Sequence, residues 1–103
     1  MKIVEPTIKS VSFSRFKVAV YDGYYISNES NIQKSENVIC YDENNDVMWK
    51  IHDAKESGYW LERDYFVGVA LHKNGDLGAT TRSGHAFRVD KQTGKATYSE
   101  FMK

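Results

Sequence analysis

A chain of 103 residues, 41% hydrophobic and 27% charged, has the size and make-up of one globular domain (residues 1–103). At that length about two thirds of the unfolded surface can be buried in a single core. Lys plus Arg and Asp plus Glu both number 14, so the formal charge is zero. This excludes a disordered polyelectrolyte and argues against a nucleic-acid binder, whose affinity rests on a basic excess.

The opening Met1-Lys2-Ile3-Val4-Glu5-Pro6 runs into a polar mixture and not the apolar core of a secretory leader. No stretch approaches the ~18 apolar residues of a spanning helix, and the lone Cys40 permits no intrachain disulfide. A cytoplasmic protein with no membrane partner is expected. Residues 8–16 and 17–21 read as strands, with Asp22-Gly23 as a turn before Tyr24-Tyr25-Ile26. Residues 28–36 are polar and read as loop.

From there the signals have period two. Val38-Ile39-Cys40-Tyr41 and Val47-Met48-Trp49-Lys50-Ile51-His52 flank the polar group Asp42-Glu43-Asn44-Asn45-Asp46, which marks a hairpin. Alternation places Val47, Trp49 and Ile51 on the core face of the second strand. Next comes Phe66-Val67-Gly68-Val69-Ala70-Leu71-His72. Asn74-Gly75 then predicts a type I′ turn into Leu77-Gly78-Ala79-Thr80-Thr81. Arg82-Ser83-Gly84 turns into His85-Ala86-Phe87-Arg88-Val89. A turn at Asp90-Lys91-Gln92-Thr93-Gly94-Lys95 leads to a closing strand, Ala96-Thr97-Tyr98-Ser99-Glu100-Phe101. The expectation is all-β: an antiparallel meander of about seven strands forming a curled sheet, an open barrel or a small sandwich.

Residues 53–64 break the pattern. A connection of about a dozen residues is longer than most hairpin loops, and long loops are often functional. This one offers the best place for helix, with room for one short turn. Residues 42–64 carry Asp42, Glu43, Asp46, Asp53, Glu56, Glu62 and Asp64 against Lys50, Lys55 and Arg63, whereas the remainder of the chain is net basic.

Chemistry is mostly absent. Cys40 sits mid-strand in an apolar run and reads as core. The histidines His52, His72 and His85 are scattered, although His72 and His85 could meet as neighbours across the meander. The acidic turn at Asp42 lacks the glycine and distal glutamate of a calcium loop. No glycine-rich phosphate loop is present, so no catalytic residue, metal ligand or cofactor is expected. What stands out is a surface. Tyr59, Trp60 and Tyr65 accompany Asp53, Glu56, Glu62 and Asp64, and Tyr24 with Tyr25 add a second aromatic pair. Tyr and Trp are enriched at binding hot spots, and acids around them would steer a basic partner. The alternative is that Trp60 and Leu61 fold back as a plug over an open end of the sheet.

Two stretches resemble the repeat of quinoprotein-type β-propellers: Val38 to Asp42 continuing through Val47-Met48-Trp49-Lys50-Ile51, and Phe87-Arg88-Val89-Asp90-Lys91-Gln92-Thr93-Gly94-Lys95. A whole propeller needs at least four blades, more than this chain can supply. The run from Phe66 to Phe101, with Lys73-Asn74-Gly75-Asp76 and the two turns after it, resembles bacterial immunity proteins. Those proteins neutralise toxins of contact-dependent growth inhibition and related polymorphic systems. The resemblance implies a non-catalytic inhibitor of a cognate toxin, a basic nuclease or ribonuclease domain being the natural partner of an acidic aromatic patch. Two rivals are a small-molecule or metal-binding barrel using His72, His85 and Tyr98, and a self-assembling structural adaptor.

Overall fold

A computed structural model describes residues 7–29 and 31–99. The expected all-β class is present, as two four-stranded antiparallel sheets. The first contains β1 (Thr7–Phe13), β2 (Phe16–Tyr21), β3 (Val38–Tyr41) and β4 (Val47–Lys50). The second contains β5 (Phe66–Leu71), β6 (Leu77–Thr81), β7 (Ala86–Val89) and β8 (Ala96–Tyr98). In both, every strand pairs with its sequence neighbour. There are thus eight described strands where about seven were expected, and the first break falls at Ser14-Arg15, with Ser14 at φ 52°, and not between residues 16 and 17. Met1 to Pro6, and Glu100 with Phe101, lie outside the described residues. No helix among the described residues is long and apolar enough to cross a membrane.

The sheets stack through their inner faces. Val18, Val20, Val38, Cys40, Trp49 and Ile51 of the first pack with Phe66, Val69, Leu77, Ala79, Phe87 and Val89 of the second. The outer face of the first sheet is buried too. There Ala19, Tyr21, Ile39 and Tyr41 are covered by Ile26 and Ile32. This explains why β3 is apolar at every position: alternate side chains serve two cores. Ile26 belongs to a helix the sequence reading missed, α1 (Gly23–Glu29). Its Tyr-Tyr-Ile start has weak helix propensity, but Asp22 caps it. The Asp22 carboxylate accepts the Tyr25 N–H at 2.9 Å. Burial of Ile26 supplies the rest.

A bulge corrects the expected face of β4. Cys40 pairs with Trp49 but Tyr41 pairs with Val47, so Met48 is the extra residue. Val47 therefore shares the face of Tyr41 and is exposed, while Trp49 and Ile51 are buried as expected. The Asn74-Gly75 turn is likewise not type I′. Of the pair only Gly75 has positive φ, and Gly75 N–H donates to the His72 carbonyl, with His72 N–H donating to Asp76. That is a type I turn closed by a left-handed residue. The hairpins at Asp42 and Thr81 repeat it, with Asn45 and Gly84 in the left-handed position.

The sheets are joined at both sides. Asn37, wholly buried, bonds the carbonyls of Tyr21 and Phe66 and the N–H of Phe66. Opposite, His52 forms a parallel bridge to Lys95, with His52 N–H donating to Gly94 and Ala96 N–H donating to His52.

Cys40 is core, as its apolar neighbours imply. Burial, and after it the nearby Asp42 carboxylate, raises its thiol from 9.0 to about 11. Two units leave roughly a hundredfold less thiolate at pH 8. Alkylation of the native protein, followed by mass, will be slower than in urea by at least that factor; equal rates would show the thiol accessible. The proton is held more tightly in the folded state, so this group's contribution to stability is full below pH 9 and declines as pH rises toward 11.

Candidate functional site

The segment between β4 and β5 is ordered by contacts along its whole length. Its first residue follows the His52 bridge. A 3₁₀ turn, Lys55–Ser57, comes next, and the Ser57 hydroxyl accepts the Tyr98 N–H at 3.0 Å. The indole of Trp60 lies 5.3 Å from the Phe66 ring and 5.9 Å from Phe87, tilted against both. At the far end Asp64 is only 6% exposed. One of its carboxylate oxygens accepts the Tyr65 N–H at 3.1 Å and the other accepts the Ser83 hydroxyl.

Backbone strain collects in the same place. Asp53, Tyr59 and Arg63 hold φ near +60°, three of the five described non-glycine residues to do so. Each such residue costs about 1 kcal/mol or more, and strain of this kind gathers at ligand clamps and switch regions. Here it lets consecutive side chains point to opposite sides. Trp60 turns in as the plug. Tyr59 and Leu61 on either side of it turn out, 64% and 52% exposed. Tyr59 is not loose: its ring stacks on Tyr98 with centroids 4.1 Å apart, and the His85 ring lies 6.0 Å away.

The nine residues picked out by the sequence fall into distinct places. Asp53, Glu56, Tyr59 and Glu62 are exposed along the segment. Asp53 lies 3.4 Å from His52 Nδ1, and the other ring nitrogen of His52 meets the Thr93 carbonyl at 3.0 Å. Asp64 faces inward. Tyr24 and Tyr65 meet edge to face at 5.5 Å, and Lys34 Nζ sits 4.3 Å over the Tyr24 ring. Tyr25 is half-buried on α1.

Of the nine, Trp60, Glu62 and Asp64 line a cleft of about 530 Å³ between Gln33-Lys34-Ser35 and the 53–64 segment, together with Lys55 and Arg63. A second cleft, of about 300 Å³, continues past Arg63 to Arg82 and Ser83. Three acids lie to one side, where Glu36, Asp53 and Glu56 line a smaller hollow with Lys55 and His52. The 53–64 segment thus has an acidic flank beside a cleft that carries three cations and two acids. Leu61, Lys34, Lys55 and Arg63 were not among the sequence candidates. Leu61, expected inside the plug with Trp60, points outward instead, and nothing local in residues 33–35 announces that they fold across from this segment.

The meeting of His72 with His85 that the sequence left open does not occur. His72 and His85 sit in the turns at opposite ends of β6, a five-residue strand and so roughly 17 Å apart along it. His85 does approach Tyr98, at 6.1 Å between rings. Among the described residues no group of three His, Cys, Asp or Glu could hold a metal ion. Ser83, His85 and Asp64 are together, with Ser83 Oγ 3.3 Å from His85 Nδ1. The order is wrong for nucleophilic activation, however. The hydroxyl stands between carboxylate and imidazole and gives its proton to the carboxylate, whereas a relay needs the imidazole in the middle. The cluster instead ties the segment to the β6–β7 hairpin, with Arg82 N–H donating to Tyr65.

No curated protein and no solved structure matches the chain. A family model, that of a domain of unknown function (DUF7957), matches residues 13–101. That span runs from the end of β1 through β8 and includes every residue of the segment and its clefts, so the chain belongs to the DUF7957 family.

Proposed function

We propose that the domain is a non-catalytic, cytoplasmic protein-binding module, and that its partner is a bacterial toxin domain, as for the immunity proteins its sequence resembles. One observation carries the binding reading. Tyr59 and Leu61 are held in solvent on a strained backbone, fixed by the inward Trp60 between them and by the Tyr98 stack. A large side chain that is already immobile loses little entropy on association, which is what a hot spot requires. Glu56 and Glu62 near it would steer a basic partner and speed the encounter without adding much to final affinity. The resemblance, together with this surface, supports a toxin such as a nuclease domain over other partners.

The test is co-expression with the product of the neighbouring gene. A one-to-one complex with a growth-inhibitory protein is expected. Replacing Tyr59 by Ala and Leu61 by Glu together should weaken it about a hundredfold or more, since hot-spot truncations cost about 2 kcal/mol or more each. The melting temperature should be little changed. Unchanged affinity in that variant would remove this surface from the interface. The absence of any toxic neighbour would remove the toxin while leaving the surface open to another protein.

A further inference from the structure

The cationic cleft lies beside the outward Leu61, which borders only its continuation past Arg63, and its chemistry points to a different ligand. Lys34, Lys55 and Arg63 line one concavity with the half-buried indole of Trp60 and the amide and hydroxyl of Gln33 and Ser35. Among the described residues none of the three cations forms an ion pair; Lys34 rests on the Tyr24 ring, which leaves its charge uncompensated. Of the two acids in the lining, Asp64 is turned inward onto Ser83 and the Tyr65 N–H. Glu62 is the one exposed carboxylate there. The cleft is therefore net positive in a chain whose formal total is zero. Its volume falls within the roughly 300–1,000 Å³ of small-ligand sites.

We propose that this cleft binds a small ring-bearing anion of the nucleoside phosphate class. The flat base lies against Trp60, and the phosphate is taken by Lys55 and Arg63, with Lys34 adding its charge. Aromatic floors hold bases by stacking, and a guanidinium grips phosphate oxygens in pairs. A single nucleotide suits the site better than a nucleic-acid strand. A strand needs a track of cations along several phosphates, and the zero net charge with Glu36, Asp53 and Glu56 beside the cleft supplies none.

The purified protein, without any partner, is titrated with AMP, ATP, adenosine and inorganic phosphate by calorimetry and tryptophan fluorescence. Trp49, sealed in the core, gives a constant background. AMP and ATP should bind saturably and quench Trp60, while adenosine and phosphate each bind about tenfold more weakly or worse. Lys55→Glu or Arg63→Glu should weaken AMP by about tenfold or more, and Arg15→Glu, remote on the β1–β2 turn, should leave it unchanged. Trp60→Phe, which keeps an aromatic plug, should retain the fold by circular dichroism and lose the quench. Saturable binding by none of the four probes, or binding indifferent to both charge reversals, would overturn the site. Phosphate binding as tightly as AMP would overturn the ring. An oligonucleotide binding more tightly than AMP, with a steep salt dependence, would overturn the mononucleotide. Because no partner protein is involved, failure here leaves the toxin reading standing, and the converse holds.

Discussion

Replacing Asn37 by leucine will lower the melting temperature by about 15 °C or more, the largest loss expected from any single polar side chain in this domain. The side chain is fully buried between the sheets. Its amide donates at 2.7 Å to the carbonyls of Tyr21 and Phe66, and its oxygen accepts the Phe66 N–H at 3.1 Å. Leucine fills a similar volume but removes all three bonds, leaving the Phe66 N–H and carbonyl unsatisfied and the Tyr21 carbonyl one donor short. Each such loss costs about 1–3 kcal/mol, so the total is about 3–9 kcal/mol against the roughly 5–15 kcal/mol that holds a domain together. Asn37→Asp is a sharper probe because it keeps the shape. An ionised carboxylate would place a second oxygen against two carbonyls. That variant should be as damaged as the leucine one at pH 7 and recover partly in acid, where protonation restores one donor. Thermal and urea melts read both. A loss below about 1 kcal/mol in each would mean that the sheets do not depend on this junction.

Gly94→Ala will be the most damaging glycine substitution, costing about 3 kcal/mol or more against about 1 kcal/mol at Gly75 or Gly84. All three have positive φ, at 83°, 91° and 97°, so the backbone penalty for a side chain is shared. The surroundings differ. A methyl group at residue 94 would lie 2.6 Å from the Trp49 ring and 2.8 Å from the Lys50 carbonyl. At residue 75 the nearest atom is 3.8 Å away, and at 84 there is none within 4 Å. The indole has no freedom to move aside, since its Nε1–H donates to the Lys91 carbonyl at 2.9 Å. The difference between Gly94→Ala and Gly75→Ala in urea melts therefore measures the packing of this corner alone. Equal costs would show that Trp49 can repack.

Local pattern was enough for strands β3 to β8, because β-branched and aromatic residues alternate between Gly, Asn and Asp turns, and such signals are complete within a few residues. It failed where the deciding partner lies far along the chain. The α1 helix forms because Ile26 has a second core to enter, one made by Ile39 and Tyr41 of a later strand. The face of Val47 depends on a bulge at Met48, which period-two counting cannot contain. The candidate site was legible as a list of unusual residues but not as an arrangement. Tyr59 and Leu61 stand outside and Trp60 inside on a segment with three left-handed residues, Asp53, Tyr59 and Arg63, which no local pattern announces. The cationic cleft needs Lys34, brought across from a segment read only as polar loop.

Strand pairing only between sequence neighbours sets the order in which the molecule can be built. The second meander closes through short hairpins, events of about 1–10 μs each that pay little for loop closure, as does the first except at the 22–37 connection that carries α1. Neither meander needs the other to set its register. What remains nonlocal is a handful of junctions: Asn37 to Phe66, His52 to Ala96, and Trp49 against Gly94. Docking of the two sheets is therefore the step expected to limit the rate of folding. Substitutions at those junctions will act on that rate, whereas changes within a hairpin turn will act on the populations that precede it.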